Sequence, residues 1–135
     1  MITANTSEVR LFRAFLTDDN NRPVVGTGPC MLGVRVGTDI SQSVTGMVHP
    51  GTGGMSVAPD NPKLLPRHLR PFSLGGEGRY PVFSMASTRL GENLQFRRDD
   101  RRSERHGYVE PAKVMQIAVY QHALAQTVSV WQEWK

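Results

Sequence analysis

Glycine and proline interrupt this chain so often that it has little room for long, regular helices. Thirteen of the 135 residues are glycine and nine are proline. Glycine is used where the backbone turns sharply, and proline breaks helices and the interior strands of sheets. The pattern predicts short strands joined by many turns. The chain length fits a single domain, residues 1–135, that can bury a core of its own.

Composition narrows the class of protein further. Hydrophobic residues make up 39% of the chain and charged residues 21%, which is typical of a globular protein. No apolar run approaches the roughly 20 residues of a membrane-spanning helix, and no secretion signal starts the chain. The single cysteine, Cys30, excludes an internal disulfide, and His49 has no partner at metal-ligand spacing. We therefore expect no membrane span, no metal and a reducing, cytoplasmic location.

Positive charge favours anionic partners such as nucleotides, nucleic acid or an acidic protein. The net charge is +4, and the run Arg97–Arg105 holds five arginines against three carboxylates. Two interpretations of this run are open. It is either a solvated hairpin loop with local ion pairs or a mobile basic loop that meets phosphate groups or an acidic target.

The segment Glu8–Leu16 predicts the first strand, and its alternation places Arg13 on an apolar face. Val9, Leu11 and Phe15 share that face. Either the Arg13 side chain extends from a strand end to water, or it is held inside as a cation. A buried guanidinium can bind phosphate or ribose through two hydrogen bonds.

The stretch Pro50–Val57 carries three glycines, at 51, 53 and 54, directly before an apolar strand. In one interpretation it is a turn between two strands. In the other, Gly53 and Gly54 bring free backbone N–H groups close to a phosphate, and the Ser56 hydroxyl completes the anion site. A lone glycine motif does not decide between the two.

The remaining sequence predicts further strands and one C-terminal helix. Strands are expected at Met31–Val36, Tyr80–Ala86, Leu94–Arg98 and His106–Glu110. Pro111 suits the first helical position, so the helix is predicted over Ala112–Trp134 with an apolar stripe toward the core. The predicted fold class is α+β. On the last strand, His106, Tyr108 and Glu110 share one face, which favours a joint site.

Four motifs occur in an order that resembles one protein family. They are Leu11-Phe12-Arg13-Ala14, Gly53-Gly54-Met55-Ser56-Val57, His106 followed by Pro111-Ala112-Lys113, and Trp131-Gln132-Glu133. The pattern resembles the small type VI secretion effector toxins with an ADP-ribosyltransferase-like fold. The order and approximate spacing agree along the whole chain, although each motif alone is short.

The resemblance implies two small antiparallel β-sheets around a nicotinamide cleft, with a C-terminal helix and with NAD as the substrate. It implies a toxin that acts in the cytoplasm of target bacteria after secretion and is restrained by an immunity protein. The acceptor of the ADP-ribose group is left open, and nucleic acid is one candidate. Two positions depart from the family, since Met55 replaces a threonine and Glu110 replaces an apolar residue. Glu110 either acts as the late-strand catalytic glutamate of the wider class or caps the helix.

The hypothesis assigns roles residue by residue. The site holds NAD rigidly while the nicotinamide–ribose bond breaks and positive charge builds on the ribose. Ser56 orients Arg13 or a ribose hydroxyl, and Glu110 offsets the charge. The predicted catalytic residues are Arg13, Ser56, His106 and Glu110, and the predicted NAD-binding residues are Arg13, Gly53, Gly54, Met55, Ser56 and Tyr108.

Two other classes of function stay open at this point. A ribonuclease toxin would use His106 and the arginine-rich run, and it needs a second acid–base group nearby. A non-catalytic interaction module would keep the fold without turnover, which fits the lack of an unambiguous catalytic glutamate.

Overall fold

The computed structural model describes residues 8–99 and 106–135. These residues form eight strands, one α-helix and four short 3-10 helices. The strands are β1 (Arg10–Ala14), β2 (Met47–Val48), β3 (Met55–Pro59), β4 (Val82–Ala86), β5 (Leu94–Arg98), β6 (Gly107–Pro111), β7 (Met115–Gln116) and β8 (Gln132–Glu133). Helix α1 spans Ile117–Ala125, and the 3-10 helices span Pro62–Leu64, Phe72–Leu74, Ser87–Arg89 and Gln126–Ser129. Across the described ranges, no helix is long and apolar enough to cross a membrane.

The strands build one large antiparallel sheet and one small one. Within the described chain, the large sheet has six strands in the order β5-β6-β3-β1-β4-β8, and the small sheet pairs β2 with β7. This antiparallel sheet with a C-terminal helix confirms the α+β class. The arrangement differs from the expected two small sheets, because β3 pairs with both β1 and β6 and so joins the two halves into one sheet.

The large sheet opens between β1 and β3. In the part of the chain described, β1 pairs with β4 through five residues but with β3 through two, Leu11 opposite Pro59 and Phe12 opposite Ala58. Beyond Phe12 the two strands separate, and the backbone groups along the gap need other partners. The Arg13 side chain enters the gap and donates a hydrogen bond to the Ser56 carbonyl at 2.9 Å. The fork in the sheet therefore forms the wall of a cleft.

Two apolar clusters pack on opposite faces of the sheet. The main one joins Leu11 and Phe15 of the first strand segment to Tyr120 and Leu124 of α1. The smaller one contains Phe12, Ala58, Leu65 and Val82. Because successive side chains of a strand point to opposite faces, Leu11 and Phe12 belong to different clusters. This division confirms the two faces predicted for the first strand.

The C-terminal helix is much shorter than predicted. The sequence predicted one helix over Ala112–Trp134, whereas α1 covers nine residues and continues as a 3-10 turn. Pro111 ends β6 instead of starting the helix. On both sides of α1 the chain pairs with distant strands, since β7 pairs with β2 and β8 pairs with β4. These long-range hydrogen bonds outweigh the local helical pattern.

The predicted strand Met31–Val36 is irregular in the structure. Single bridges pair Val25 with Leu32 and Val36 with Ile40, and no named strand covers the segment among the described residues. The Gln121 side chain of α1 makes the hydrogen bonds that a neighbouring strand would make. Its amide accepts from the Val34 N–H at 3.1 Å and donates to the Val34 carbonyl at 2.8 Å. A side-chain amide thus satisfies backbone groups that a ladder would otherwise pair.

The buried Tyr120 hydroxyl ties α1 to the large sheet. It donates to the Val109 carbonyl of β6 and accepts from the Met55 N–H of β3 at 3.2 Å. Tyr120→Phe removes both bonds without changing the packing volume, so we expect the free energy of unfolding to fall by about 1–3 kcal/mol. Chemical denaturation measures the change, with Tyr80→Phe at an exposed tyrosine as the control. Equal free energies of unfolding for the two variants would show that the Tyr120 hydroxyl does not stabilise the contact between α1 and the sheet.

Candidate functional site

A cavity of about 660 Å³ lies at the fork between β1 and β3. This volume falls within the range of small-molecule sites in proteins. Its wall is completed by three loop segments, which approach from different parts of the chain. The lining residues are Arg13, Gly28, Pro29, Cys30, Arg35, Asp39, Ser56, Val57, Ala58, Leu64, Leu65, Pro66, Arg67, His68, Leu69, Arg70 and His106. Three of the predicted site residues, Arg13, Ser56 and His106, therefore share one cavity.

The Arg13 guanidinium is held in place by the protein backbone. Nη1 donates to the Ser56 carbonyl and Nη2 to the Met31 carbonyl, each at 2.9 Å, and its Nε is buried with no partner among the described residues. Burial lowers the pKa of Arg13, but a guanidinium stays charged at neutral pH. Of the two interpretations of Arg13, the structure supports the internal cation. Binding of phosphate or ribose stays a prediction.

Ser56 contributes two different groups to the site. Its carbonyl accepts from Arg13, while its hydroxyl has no hydrogen-bond partner among the residues described. Ser56 thus bonds Arg13 through its backbone oxygen and not through its hydroxyl, and the alternative role of Ser56 on a ribose hydroxyl stays a prediction. The hydroxyl itself is left to a ligand in the cavity.

His106 lies at the end of β6, where the β5–β6 hairpin reaches the cavity. Its Nδ1 is 3.4 Å from Oδ2 of Asp99, whose side chain is almost fully buried. The imidazole packs edge-on against the Tyr108 ring, with 4.6 Å between the centroids. The histidine is thus held from two sides while it lines the cavity.

The cavity wall is rich in cations. Arg35, Arg67 and Arg70 join Arg13, and Asp39 is the one carboxylate on the wall within the described residues. The wall also carries two histidines, His68 and His106. Asp39 is already paired, since it accepts from the Arg35 backbone N–H at 2.7 Å and from Arg35 Nη2 at 3.1 Å. The Asp39 hydrogen bond in turn raises the pKa of Arg35. An excess of positive charge in a concave site attracts anionic ligands.

Cys30 also lines the cavity and is half-buried. Burial raises the pKa of its thiol, so the neutral form dominates at neutral pH. A neutral thiol is a poor nucleophile. Cys30 therefore serves better as a reporter of cavity occupancy than as a reactive group.

Residues 50–55 of the glycine-rich stretch do not line this cavity, although Ser56 and Val57, which follow them, do. The Gly51 N–H donates to Glu110, the Gly54 N–H to the Asp39 carbonyl and the Met55 N–H to Tyr120. A Cβ on Gly53 would lie 2.2 Å from the Asp39 carbonyl oxygen, so this glycine permits close approach of chain to chain. Of the two interpretations, these bonds favour the turn, because the N–H groups of residues 51, 54 and 55 already have partners within the chain. The loop is a turn that packs against neighbouring backbone.

Glu110 and Tyr108 share a strand face with His106 but lie outside the cavity lining. The Glu110 side chain is 1% exposed, and its two oxygens accept from the Gly51 N–H, Arg97 Nε and Gln95 Nε2 at 2.7–2.9 Å. It does not cap the helix, which begins at Ile117. The Arg97 guanidinium lies over the Tyr108 ring, 5.1 Å from its centroid. The catalytic and stacking roles of these two residues stay predictions.

The arginine-rich run is only partly described. Arg97 bonds Glu110, and Arg98 bonds Asp60 at 3.0 Å. Both partners lie outside the run Arg97–Arg105, so these pairs do not decide between the two interpretations of the run. The rest of the run, residues 100–105, lies outside the described residues. Among those described, no cluster of histidine, cysteine and carboxylates is suited to hold a metal ion.

Sequence patterns do not single out Arg35, Asp39, Asp99 or residues 64–70 as parts of the site. The sequence shows that residues 67–70 are basic and that Asp99 lies among arginines, but neither feature places these residues at a site. Their position on the cavity depends on how loops pack against the sheet, which no local pattern encodes.

Comparison with known proteins adds no further assignment. No family model, curated protein or solved structure matches this chain.

Proposed function

We propose that this protein cleaves the nicotinamide–ribose bond of NAD, as an ADP-ribosyltransferase or an NAD glycohydrolase. The observation that carries the proposal is that Arg13, Ser56 and His106 line one cavity although they are far apart in the sequence. The resemblance to type VI effector toxins assigned roles to these same three residues. We further propose that the activity is toxic in the cytoplasm of target bacteria and is restrained by an immunity protein.

The charge of the cavity suits a dinucleotide. NAD carries a negatively charged pyrophosphate, and three arginines other than Arg13 line the wall. Arg13 has five N–H donors. Two bond backbone carbonyls and Nε is buried, so the second hydrogens of Nη1 and Nη2 are left for phosphate or ribose oxygens. Apolar side chains at Leu64, Leu65 and Leu69 provide surface for a flat ring. Cations and an apolar wall in one cavity match the two chemical halves of a nucleotide.

The catalytic contribution follows from positioning. As the C–N bond breaks, positive charge grows on the ribose, and the nicotinamide nitrogen takes the electron pair and becomes neutral. Arg13 and the Ser56 hydroxyl hold the sugar and phosphate, so that little motion is needed to reach the transition state. Asp39, the carboxylate on the wall, offsets the ribose charge in place of Glu110, which lies outside the cavity lining with its side chain 1% exposed.

Incubation of the protein with NAD, followed by mass spectrometry for free nicotinamide and for modified macromolecules, tests the reaction. Ser56→Ala removes a hydroxyl without a described partner, so we expect the fold to persist and nicotinamide release to fall about 100-fold. Ser129→Ala, at an exposed serine of the last 3-10 helix, is the matched control. Wild-type turnover by a folded Ser56→Ala variant would overturn the assignment.

Two measurements test whether NAD binds in the cavity, whether or not the protein cleaves it. NAD bound to the native state raises the melting temperature. NAD in the cavity also covers Cys30, the one cysteine of the sequence, so it slows alkylation of this thiol. If NAD changes neither the melting temperature nor the alkylation rate, the cavity is not a dinucleotide site.

A second candidate function is cleavage of RNA, because the cavity brings two histidines together. His68 and His106 both line the wall, whereas sequence spacing shows no histidine pair. Two imidazoles at one site can serve as general base and general acid. RNA cleavage that is lost in both His68→Ala and His106→Ala and weakened steeply by salt would favour this class over NAD cleavage. A chain that turns over neither substrate would be a non-catalytic interaction module.

A further inference from the structure

Asp99 and His106 face each other at the end of the β5–β6 hairpin. The Asp99 backbone N–H donates to the His106 carbonyl at 3.0 Å, which fixes the spacing of the two residues. Asp99 Oδ2 lies 3.4 Å from His106 Nδ1 and accepts a hydrogen bond from the Tyr108 hydroxyl at 3.3 Å. Asp99 is therefore tied to the imidazole both through the backbone and through its side chain.

The chemistry of this contact decides which imidazole nitrogen carries the proton. An ionised carboxylate has acceptors and no donor, so it pairs with a nitrogen that bears hydrogen. In a neutral histidine only one nitrogen bears hydrogen, and the partner of one nitrogen sets the state of the other. With Nδ1–H directed at Asp99, Nε2 carries a lone pair. Nε2 has no hydrogen-bond partner among the described residues, and His106 lines the cavity.

We propose that Asp99 is a positioning residue that holds neutral His106 as the Nδ1–H tautomer, so that Nε2 accepts the proton of the attacking nucleophile in the cavity. The chemical step rests on the proposed cleavage of NAD. The oxygen of water, or of an acceptor hydroxyl, bonds to the anomeric carbon of the ribose. The C–N bond breaks, and its electron pair goes to the nicotinamide nitrogen, which becomes neutral. The proton of the nucleophile passes to Nε2 and from there to solvent.

Tyr108 strengthens the arrangement, although it lies outside the cavity. Its ring packs edge-on against the imidazole at an interplanar angle of 68°, and its hydroxyl bonds the same carboxylate oxygen as Nδ1. A ring that is held by an aromatic neighbour and a buried carboxylate has little freedom to flip. This explains how Tyr108 can matter to the site without stacking on nicotinamide.

The tautomer of His106 in the wild-type protein is the primary test, and it requires no variant to fold. Long-range ¹⁵N–¹H NMR spectra of ¹⁵N-labelled protein distinguish the two neutral tautomers. The sequence has four histidines, and a His106→Gln sample identifies the signals of His106. We expect the Nδ1–H tautomer at a pH where the ring is neutral. A dominant Nε2–H tautomer would overturn the proposal.

Asp99→Asn provides the second test, because an amide offers both a donor and an acceptor and no longer selects one nitrogen. We expect mixed tautomers and a kcat for nicotinamide release that is about 100-fold lower, with KM nearly unchanged. Asp60→Asn is the matched control, since Asp60 is an exposed carboxylate that pairs with Arg98 of β5. A folded Asp99→Asn protein with the wild-type tautomer and kcat would refute the role.

Failure of the proposed function gives a different result. If the wild-type protein releases no nicotinamide but His106 is the Nδ1–H tautomer, NAD cleavage is refuted while Asp99 still positions the imidazole. If nicotinamide is released and His106 is the Nε2–H tautomer, NAD cleavage stands and the positioning role of Asp99 is refuted.

Discussion

Replacement of Arg13 with lysine is expected to lower nicotinamide release on the order of 10³-fold. The guanidinium joins two chain segments, because it bonds the carbonyls of Ser56 and Met31 at 2.9 Å, and Arg13 belongs to the cavity lining. A lysine ammonium has the same charge but lacks the planar fork that serves both carbonyls and a ligand. Loss of preorganised donors at a reacting centre has an effect of this size. Steady-state kinetics of nicotinamide release measures the change.

The stability of the Arg13→Lys protein needs its own measurement. One backbone carbonyl loses its charged donor, so the free energy of unfolding should fall by about 1–3 kcal/mol. Kinetics are therefore measured well below the melting temperature of the variant. Arg10→Lys is the control, because Arg10 lies on the same strand, is exposed and belongs to the opposite face. A folded Arg13→Lys protein that is as active as Arg10→Lys would remove Arg13 from the site.

Replacement of Glu110 with leucine should cause the largest loss of stability. Its carboxylate is 1% exposed and joins Arg97, Gln95 and the Gly51 N–H, so it links β5, β6 and the glycine-rich loop. Removal of one partner of a buried ion pair leaves the other charge without compensation. We expect the free energy of unfolding to fall by about 3–5 kcal/mol, measured by denaturant titration.

Two comparisons separate this effect from a general effect of charge removal. Glu77→Leu breaks the exposed pair with Arg67 and should change stability by less than about 1 kcal/mol. The double variant Arg97→Met/Glu110→Leu removes both charges and should recover much of the lost stability. Because Glu110 does not line the cavity, the folded double variant should still release nicotinamide. A stable double variant without activity would restore Glu110 as a catalytic candidate.

Several parts of the fold could be predicted from the sequence because their signals are local. The strands at Arg10–Ala14, Leu94–Arg98 and Gly107–Pro111 follow from alternating or β-prone residues. Alternation also placed Arg13 beside Leu11, and the structure keeps both on the side of the main cluster. Three residues of the cavity lining, Arg13, Ser56 and His106, belong to motifs that are recognisable in the sequence alone.

Other features were decided by contacts between residues far apart in the sequence. The helical pattern of 112–134 is broken where β7 and β8 find partners at Met47–Val48 and Phe83–Ser84. The glycine-rich loop resembled an anion site, yet its N–H groups bond Glu110, Asp39 and Tyr120. The contact of Asp99 with His106 depends on the pairing of β5 with β6, which brings the two residues opposite each other.

The sequence by itself determined the α+β class and pointed to three residues of the cavity, since strand propensity, side-chain alternation and short motifs depend on near neighbours. Only the tertiary structure decided that β3 joins both halves of one sheet, that the sheet forks at Arg13, and that the carboxylate of Glu110 is enclosed. The physical reason is that an unpaired backbone group or a buried charge must find a partner wherever the folded chain provides one. That partner is set by packing across the whole chain, and for Arg13 it proved to be the carbonyl of Ser56.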